Sequence, residues 1–469
     1  MQKKSKYSNL INDALIFALG SIGSKVIVFF LVPFYTDFLT DAEYGISDLV
    51  FTVAQLLIPF VSLVIFDAVV RFGLYRKERP QDALLVGIIV WLIGTAVLIL
   101  ISPLLQFYKS IAKWSSYIVV FSSANILVSV VLNYLKTINR NLLYSVICII
   151  QTAALAGINI LTIAVWRMGI EGYLIAYVGS NIIAAVLAIT FGRIFSELKK
   201  ARFDKRLAKE MILYSSPLIL NNISWWVIQS SDKMMIEAMV SAGALGIYTA
   251  AARIPSLISV FVSIFQQAWG ISSAKEMDSS NDPSFYTNVF SAYSFAAFFA
   301  SIGLCIIIRP FMKIYIRNPA FSDAWQYVPL LLISAVFSAI AAYCGGMYGA
   351  LKKSKNNMYS TASAALINIL VNYIAIHFCG LWGAIIGTVI AYVVLAFVRL
   401  IDIKRFVNIQ INWKKIMLNA GIAITQALLV SFTETWTGIV CSMIAFMMFL
   451  ILNRDVIVFL LTAIKNRGK

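Results

Sequence analysis

The stretch Ala83–Gln106, ALLVGIIVWLIGTAVLILISPLLQ, decides the fold. Its twenty-four residues carry no charge. A membrane-spanning helix needs about 20 consecutive apolar residues, so this segment alone is long enough to cross a bilayer. The pattern repeats along the chain. Of 469 residues, 61% are apolar and only 13% are charged, and the mean hydropathy is +0.86. Soluble domains hold about 45–50% apolar and about 25% charged residues. A soluble enzyme or cytosolic binding module is therefore excluded, and roughly 14 spans account for the apolar residues.

Working outward from 83–106, apolar runs between charged punctuation predict helices at 13–36, 46–70, 115–135, 142–165, 171–192, 212–237, 245–270, 287–308, 327–350, 358–378, 381–399, 416–433 and 436–453. No cleavable leader is expected, because the first run is itself long enough to span. The net charge of +17 is read as a positive-inside bias rather than as a nucleic-acid footprint. With the N-terminus inside, 29 of the 38 Lys and Arg residues fall on the inner face, six on the outer face and three, Lys25, Lys233 and Arg253, within the membrane. Both termini are thus expected in the cytoplasm. The expected division is an N-terminal six-helix lobe at 1–195, a basic connector at 196–211, a second six-helix lobe at 212–405, and two extra helices with a tail at 406–469.

Four signals recur in order at a spacing of about 201 to 215 residues. Tyr44-Gly45-Ile46 answers to Leu245-Gly246-Ile247, and the run Pro103 to Tyr108 answers to Pro310 to Tyr315. Asn141 with Tyr144-Ser145 answers to Asn356 with Tyr359-Ser360, and Gly169-x-x-Gly172 answers to Gly380-x-x-Gly383. Six helices separate each pair, so the repeats are parallel and related by an axis along the membrane normal. The expected fold is all-α, with about fourteen transmembrane helices in two pseudo-symmetric lobes around a central cavity. Pro33, Pro59, Pro217 and Pro255 lie in the first two helices of each lobe, where they can bend a span.

The residues Pro33-Phe-Tyr35-Thr36, Glu43-Tyr44-Gly45 and Asp67 through Phe72 resemble the opening of bacterial Wzx-type polysaccharide flippases. Tyr214 through Pro217, Asn222, Ser231-Asp232-Lys233, Gly246-Ile-Tyr248 and Gln267-Ala268-Trp269 resemble the start of that family's second half. The wider superfamily includes multidrug extruders of the MATE-like fold and the peptidoglycan-precursor flippase. The resemblance implies a substrate, an undecaprenyl-diphosphate-linked oligosaccharide, moved from the inner to the outer leaflet of the bacterial cytoplasmic membrane. It implies membrane lipids, a polysaccharide polymerase and a chain-length regulator as partners, with O-antigen, capsule or exopolysaccharide as the end product.

Charged side chains within a bilayer cost at least about 2.5–3.5 kcal/mol each and are functional candidates by default. A diphosphate calls for cations in a partly desolvated site. Lys25, Arg253 and Lys233 are the candidates for holding it. Snorkelling is the alternative for Lys25, and Asp232 and Glu237 offer Lys233 neighbouring acids. Asp67 and Arg71, at i and i+4, are expected as a structural pair. For the glycan, the amides and aromatics Asn222, Trp225, Trp226, Gln229, Gln267 and Trp269 are candidates, with interfacial anchoring and interhelical hydrogen bonding as the competing reading. Asp232, Glu237 and Asp48 are candidate sites for a coupling H+ or Na+.

No catalytic residue, metal site or cofactor is expected. The only histidine is His377, the five cysteines are scattered, and no Walker-type loop occurs. Two alternatives stand beside the flippase. A multidrug extruder of the same fold would usually place an acid where the first helix presents Lys25. A membrane polymerase or glycosyltransferase would need a sizeable outer loop, and the outer loops here are short.

Overall fold

The computed structural model describes residues 27–75, 79–278, 282–351 and 353–467. Among these residues the chain is helical, with no strand. The helices are α1 (Ile27–Phe38), α2 (Asp41–Ser62), α3 (Ile65–Tyr75), α4 (Pro80–Ile101), α5 (Lys109–Ala112), α6 (Ser115–Thr137), α7 (Asn141–Asn159), α8 (Ile170–Gly192), α9 (Ile194–Lys200) and α10 (Lys205–Met239). There follow α11 (Ala242–Ala252), α12 (Ser256–Asp278), α13 (Pro283–Tyr315), α14 (Ala324–Ala350), α15 (Ser354–Cys379), α16 (Leu381–Ile403), α17 (Trp413–Phe432), α18 (Thr435–Leu452) and α19 (Arg454–Arg467).

Eleven of the described helices are long and apolar enough to cross a membrane, or twelve if the bent pair α11–α12 is one span. Among the described residues the expected count of fourteen is not reached. Most of the first expected span, 13–36, lies outside the described residues. The seventh, 212–237, sits inside the 35-residue α10. That helix carries Asn221, Asn222, Gln229, Asp232 and Lys233 from its middle onward and is too polar to register as a span by composition alone.

Two expected single helices are each broken in two. The span 46–70 divides into α2 and α3 at Leu63 and Val64, which both adopt left-handed backbone with φ of 50° and 52°. Ser62 Oγ accepts the Val64 N–H at 3.1 Å across the break. Pro59, four residues earlier, has no N–H to give the Gln55 carbonyl, so the ladder is already interrupted there. The span 245–270 divides into α11 and α12, bent by 48°. Pro255 sits in that break, where the last backbone bonds, Arg253 N to Ala250 O and Ile254 N to Ala251 O, lengthen to 3.4 Å.

The chain forms two compact units that divide between Trp226 and Val227, inside α10. In the first unit α6 is the central helix, packed against α2, α3, α4, α7 and α8. In the second, α14 has that position, packed against α11, α12, α13, α16 and α17. These are the fourth and tenth helices of the sequence repeat. The same repeat appears in the backbone. Gly169 before α8 has φ 56° and ψ −129°, and Gly380 before α16 has φ 55° and ψ −130°. A side chain would be strained in that conformation, so glycine recurs at both corners.

Local chemistry sets the ends of the elements. Thr40 and Glu43 form a reciprocal capping box at the start of α2. Tyr35, 1% exposed, packs its ring against Tyr44 and Tyr173 at 5.8 and 4.9 Å. The signature residues around 35–45 therefore build the corner between α1 and α2. Asp282 caps α13 with Pro283 in the first turn, and Asn412 caps α17.

Candidate functional site

The second unit buries a carboxylate. α10 delivers Ser231, Asp232 and Lys233 at the level where α11, α15 and α16 meet it. Asp232 is 1% exposed. The Tyr248 hydroxyl of α11 donates to its Oδ2. Thr388 Oγ1 of α16 donates to the same oxygen at 3.2 Å. The Lys233 backbone N–H donates to Oδ1 at 2.9 Å.

Beside this carboxylate lies an amide pair on α15. Ser231 Oγ donates to Asn368 Oδ1 at 3.0 Å, and Asn372 Nδ2 donates to the same oxygen at 3.2 Å. Both asparagines are fully buried. Asn368 Nδ2 and Asn372 Oδ1 have no hydrogen-bond partner among the described residues. Helix α16 comes this close only because residue 387 is glycine: a Cβ there would collide with Asn372 Oδ1. The cluster is thus a set of polar groups, one carboxylate, two amides and three hydroxyls, closed off from water.

Burying an isolated carboxylate is costly, and neutral hydrogen bonds offset only part of that cost. The cost falls when a proton or a small cation joins the carboxylate. Hard oxygen donors with one negative charge match a monovalent alkali ion or H+ better than a transition metal. Among the described residues no group of three His, Cys, Asp or Glu side chains could hold a metal.

The other sequence candidates divide as follows. Lys25 and its surroundings lie outside the described residues. Arg253 is half-buried and forms the C-cap of α11 at the bend. A cation there complements the negative end of the α11 dipole. Lys233 and Glu237 are half-buried on α10, and Asp48 is buried on α2 in the first unit.

Asn222 donates back to the Leu218 carbonyl at 2.9 Å, and Trp226 Nε1 donates to the Thr52 carbonyl at 3.0 Å. Trp225 is half-buried and Gln229 is exposed. Gln267 lies on α12, and its side chain is outside the described residues.

Two expectations are corrected. Trp269 is 2% exposed, with Tyr343 and Phe265 stacked on it at 4.7 and 5.7 Å and its Nε1 bound to the Tyr343 carbonyl at 3.0 Å. It is a core anchor, with no open face for a sugar. Asp67 and Arg71 form no ion pair. The Arg71 guanidinium instead lies 4.3 Å from the centre of the Tyr214 ring, where an exposed cation gains a π face without immobilising a carboxylate.

Arg399 stands at the very end of the expected span 381–399. It is inside α16 and fully buried. Its Nε donates to Ser360 Oγ at 3.0 Å, Nη1 to the Ala341 carbonyl at 2.9 Å, and Nη2 to Thr361 Oγ1 at 2.7 Å and Asn357 Oδ1 at 2.5 Å. This fork ties α16 to α14 and α15 through neutral oxygens. Asn368 and Asn372 were legible as two amides four residues apart in an apolar helix. Tyr248 was visible only as part of the Gly246-Ile-Tyr248 signature, and Thr388 carried no signal apart from its contact with Asp232.

Bent spans and a six-helix repeat around buried polar groups define a multi-pass membrane protein. The comparisons make this specific. Residues 10–269 match the polysaccharide biosynthesis protein family, and residues 217–374 match the MatE family. The chain belongs to the polysaccharide biosynthesis protein family.

The fold is similar to that of the lipid II flippase MurJ in an inward closed conformation, with a TM-score of 0.68, 14% identity, and coverage of 94% of this chain and all of that one. It is also similar to an outward-facing multidrug resistance MATE family transporter of the MOP superfamily, with a TM-score of 0.60, 13% identity, and coverage of 88% and 96%. An uncharacterized membrane protein of Haemophilus influenzae is 24% identical over 263 residues, 55% of this chain. The chain spans 64% of that curated relative's length.

Proposed function

We propose that the protein is a flippase that carries undecaprenyl-diphosphate-linked oligosaccharide repeat units across the cytoplasmic membrane by alternating access. The observation that carries this reading is the family match over 10–269 together with a flippase-type fold. The diphosphate would be held by Lys25, Arg253 and Lys233, since a double anion inside a membrane needs cations that are themselves poorly hydrated. Arg253 is suited to this task because a bend frees backbone around it and its guanidinium can grip two phosphate oxygens. Asn222, Trp225, Trp226, Gln229 and Gln267 remain the candidates for the glycan, now without Trp269.

Coupling would run through Asp232, with H+ or Na+ exchanging in the oxygen cluster. Glu237 and Asp48 stand beside it as further candidates. Each charge moved through the membrane potential supplies about 2.3 kcal/mol per 100 mV. Both termini are assigned to the cytoplasm from the distribution of basic residues. A polymerase and a chain-length regulator are the expected neighbours in the membrane.

Deletion should leave complete lipid-linked repeat units facing the cytoplasm. Lys25→Ala and Arg253→Ala should each fail to restore surface polysaccharide while reaching the membrane at normal levels. Normal surface polysaccharide in both variants would overturn the diphosphate assignment. The MatE match supports a second reading, export of drugs. Increased drug sensitivity on deletion, with unchanged surface polysaccharide, would decide for it.

A further inference from the structure

We infer that the segment from Phe191 to Lys209 is a docking surface for anionic phospholipid headgroups. It joins α8 to α10 and is bound firmly to the first unit. Arg140 Nη1 caps the end of α8 through the Phe191 and Gly192 carbonyls at 3.2 and 3.4 Å. Ile194 is buried. Tyr134 donates to Glu197 at 3.0 Å, Asp82 Oδ1 accepts the Arg202 N–H at 2.8 Å, and Arg79 donates to the Lys200 carbonyl at 3.3 Å. These bonds hold the backbone in place, so its outward side chains form a built surface and not a loose tether.

That surface combines two chemistries. Phe191, Phe195 and Phe203 are 62%, 70% and 58% exposed. Between and beyond them stand seven cations. Lys200 pairs with Glu197 and Arg206 with Glu210. Arg193, Lys199, Arg202, Lys205 and Lys209 are exposed and make no ion pair among the described residues.

Positive-inside bias accounts for a number of cations at this end of the spans, but it does not account for exposed phenylalanines interleaved with them. Aromatic rings suit the boundary between acyl chains and headgroups, and the unpaired cations suit phosphate at the same depth. The partner is therefore a glycerophospholipid bearing net negative charge. This inference is independent of the cargo assigned above.

The test uses the full-length protein reconstituted in phosphatidylcholine vesicles, probed with spin-labelled phosphatidylglycerol and spin-labelled phosphatidylcholine. Wild type should retain phosphatidylglycerol over phosphatidylcholine by roughly threefold, a preference lost as salt shortens the Debye length from about 10 to about 3 Å. The variant K199Q/R202Q/K205Q/K209Q should lose the preference. The control K353Q/K355Q/K404Q/K414Q, which removes four basic residues elsewhere, should keep it. F195S/F203S should keep the salt dependence but shorten lipid residence. Melting curves check that each variant is folded. An unchanged preference in the first variant, or an equal loss in the control, would overturn the inference.

Discussion

Replacing Asp232 by Asn separates the charge of the buried cluster from its shape. The side chains are nearly isosteric, so packing against α11, α15 and α16 is kept. The structure indicates what changes. Two donors, Tyr248 and Thr388, converge on Oδ2, and one, the Lys233 N–H, points at Oδ1. An amide has one acceptor oxygen, so at least one donor must face an NH2 group. A hydrogen bond to a charged group is worth about 1.5–3 kcal/mol, and one to three of these weaken.

Against that loss stands relief from burying a carboxylate, which is worth several kcal/mol when the site is dry. The two terms nearly cancel. Asp232→Asn should therefore melt within a few degrees of wild type, whereas Asp232→Ala, which orphans Tyr248 and Thr388, should melt well below it.

The functional effect should be large. A cation present at 100 times its dissociation constant stabilises the folded state by about 2.7 kcal/mol. Wild type should thus gain melting temperature when NaCl replaces choline chloride, or when pH is lowered if the ion is H+. The Asn variant should show neither response, and its transport in vesicles should no longer follow an imposed ion gradient. An Asn variant that keeps the wild-type ion response in both assays would refute the assignment of coupling to this cluster.

Arg399→Leu should be among the most destabilising single changes, costing about 3–5 kcal/mol, because it leaves a buried ring of oxygen acceptors without donors. Arg399→Lys should recover little of this in a detergent melt, since one ammonium cannot reach oxygens on both α14 and α15. Gly387→Ala should cost about 1–3 kcal/mol, or abolish folding, because its Cβ meets Asn372. Gly421→Ala, which meets open space, should melt like wild type.

The Lys415 Nζ, bonded to Asp455 at 2.6 and 2.8 Å, holds the Asp455 carboxyl below its usual range. A lowered folded-state pKa stabilises above the unfolded value and is lost as pH falls through the folded one. Asp455 is largely exposed, so the contribution is well under about 1 kcal/mol. Asp455→Asn should lower the melting temperature slightly at neutral pH, and the difference should vanish as pH falls below the ordinary carboxylate range.

Much of this molecule is legible one helix at a time. Apolar length marks the spans, prolines mark the bend between α11 and α12, and Gly169 and Gly380 mark equivalent corners of a repeat. Asp232 stood out because a carboxylate in an apolar helix is expensive wherever it points. Residues whose meaning depends on contact were less legible. Arg399 looked like the end of an apolar span, Trp269 looked like a sugar platform, and Asp67–Arg71 looked like a pair from spacing alone.

The sequence by itself determined that this chain is built from many apolar, membrane-length helices and repeats a six-helix pattern. These follow from composition and period, which every residue reports locally. Only the tertiary structure decided which polar groups meet. Tyr248 and Thr388 come to Asp232 from α11 and α16, Asn368 comes to Ser231 from α15, and hydrogen bonds act only over about 3 Å. A one-dimensional pattern shows which groups need partners; the packing of α10, α11, α15 and α16 decides which partners they have.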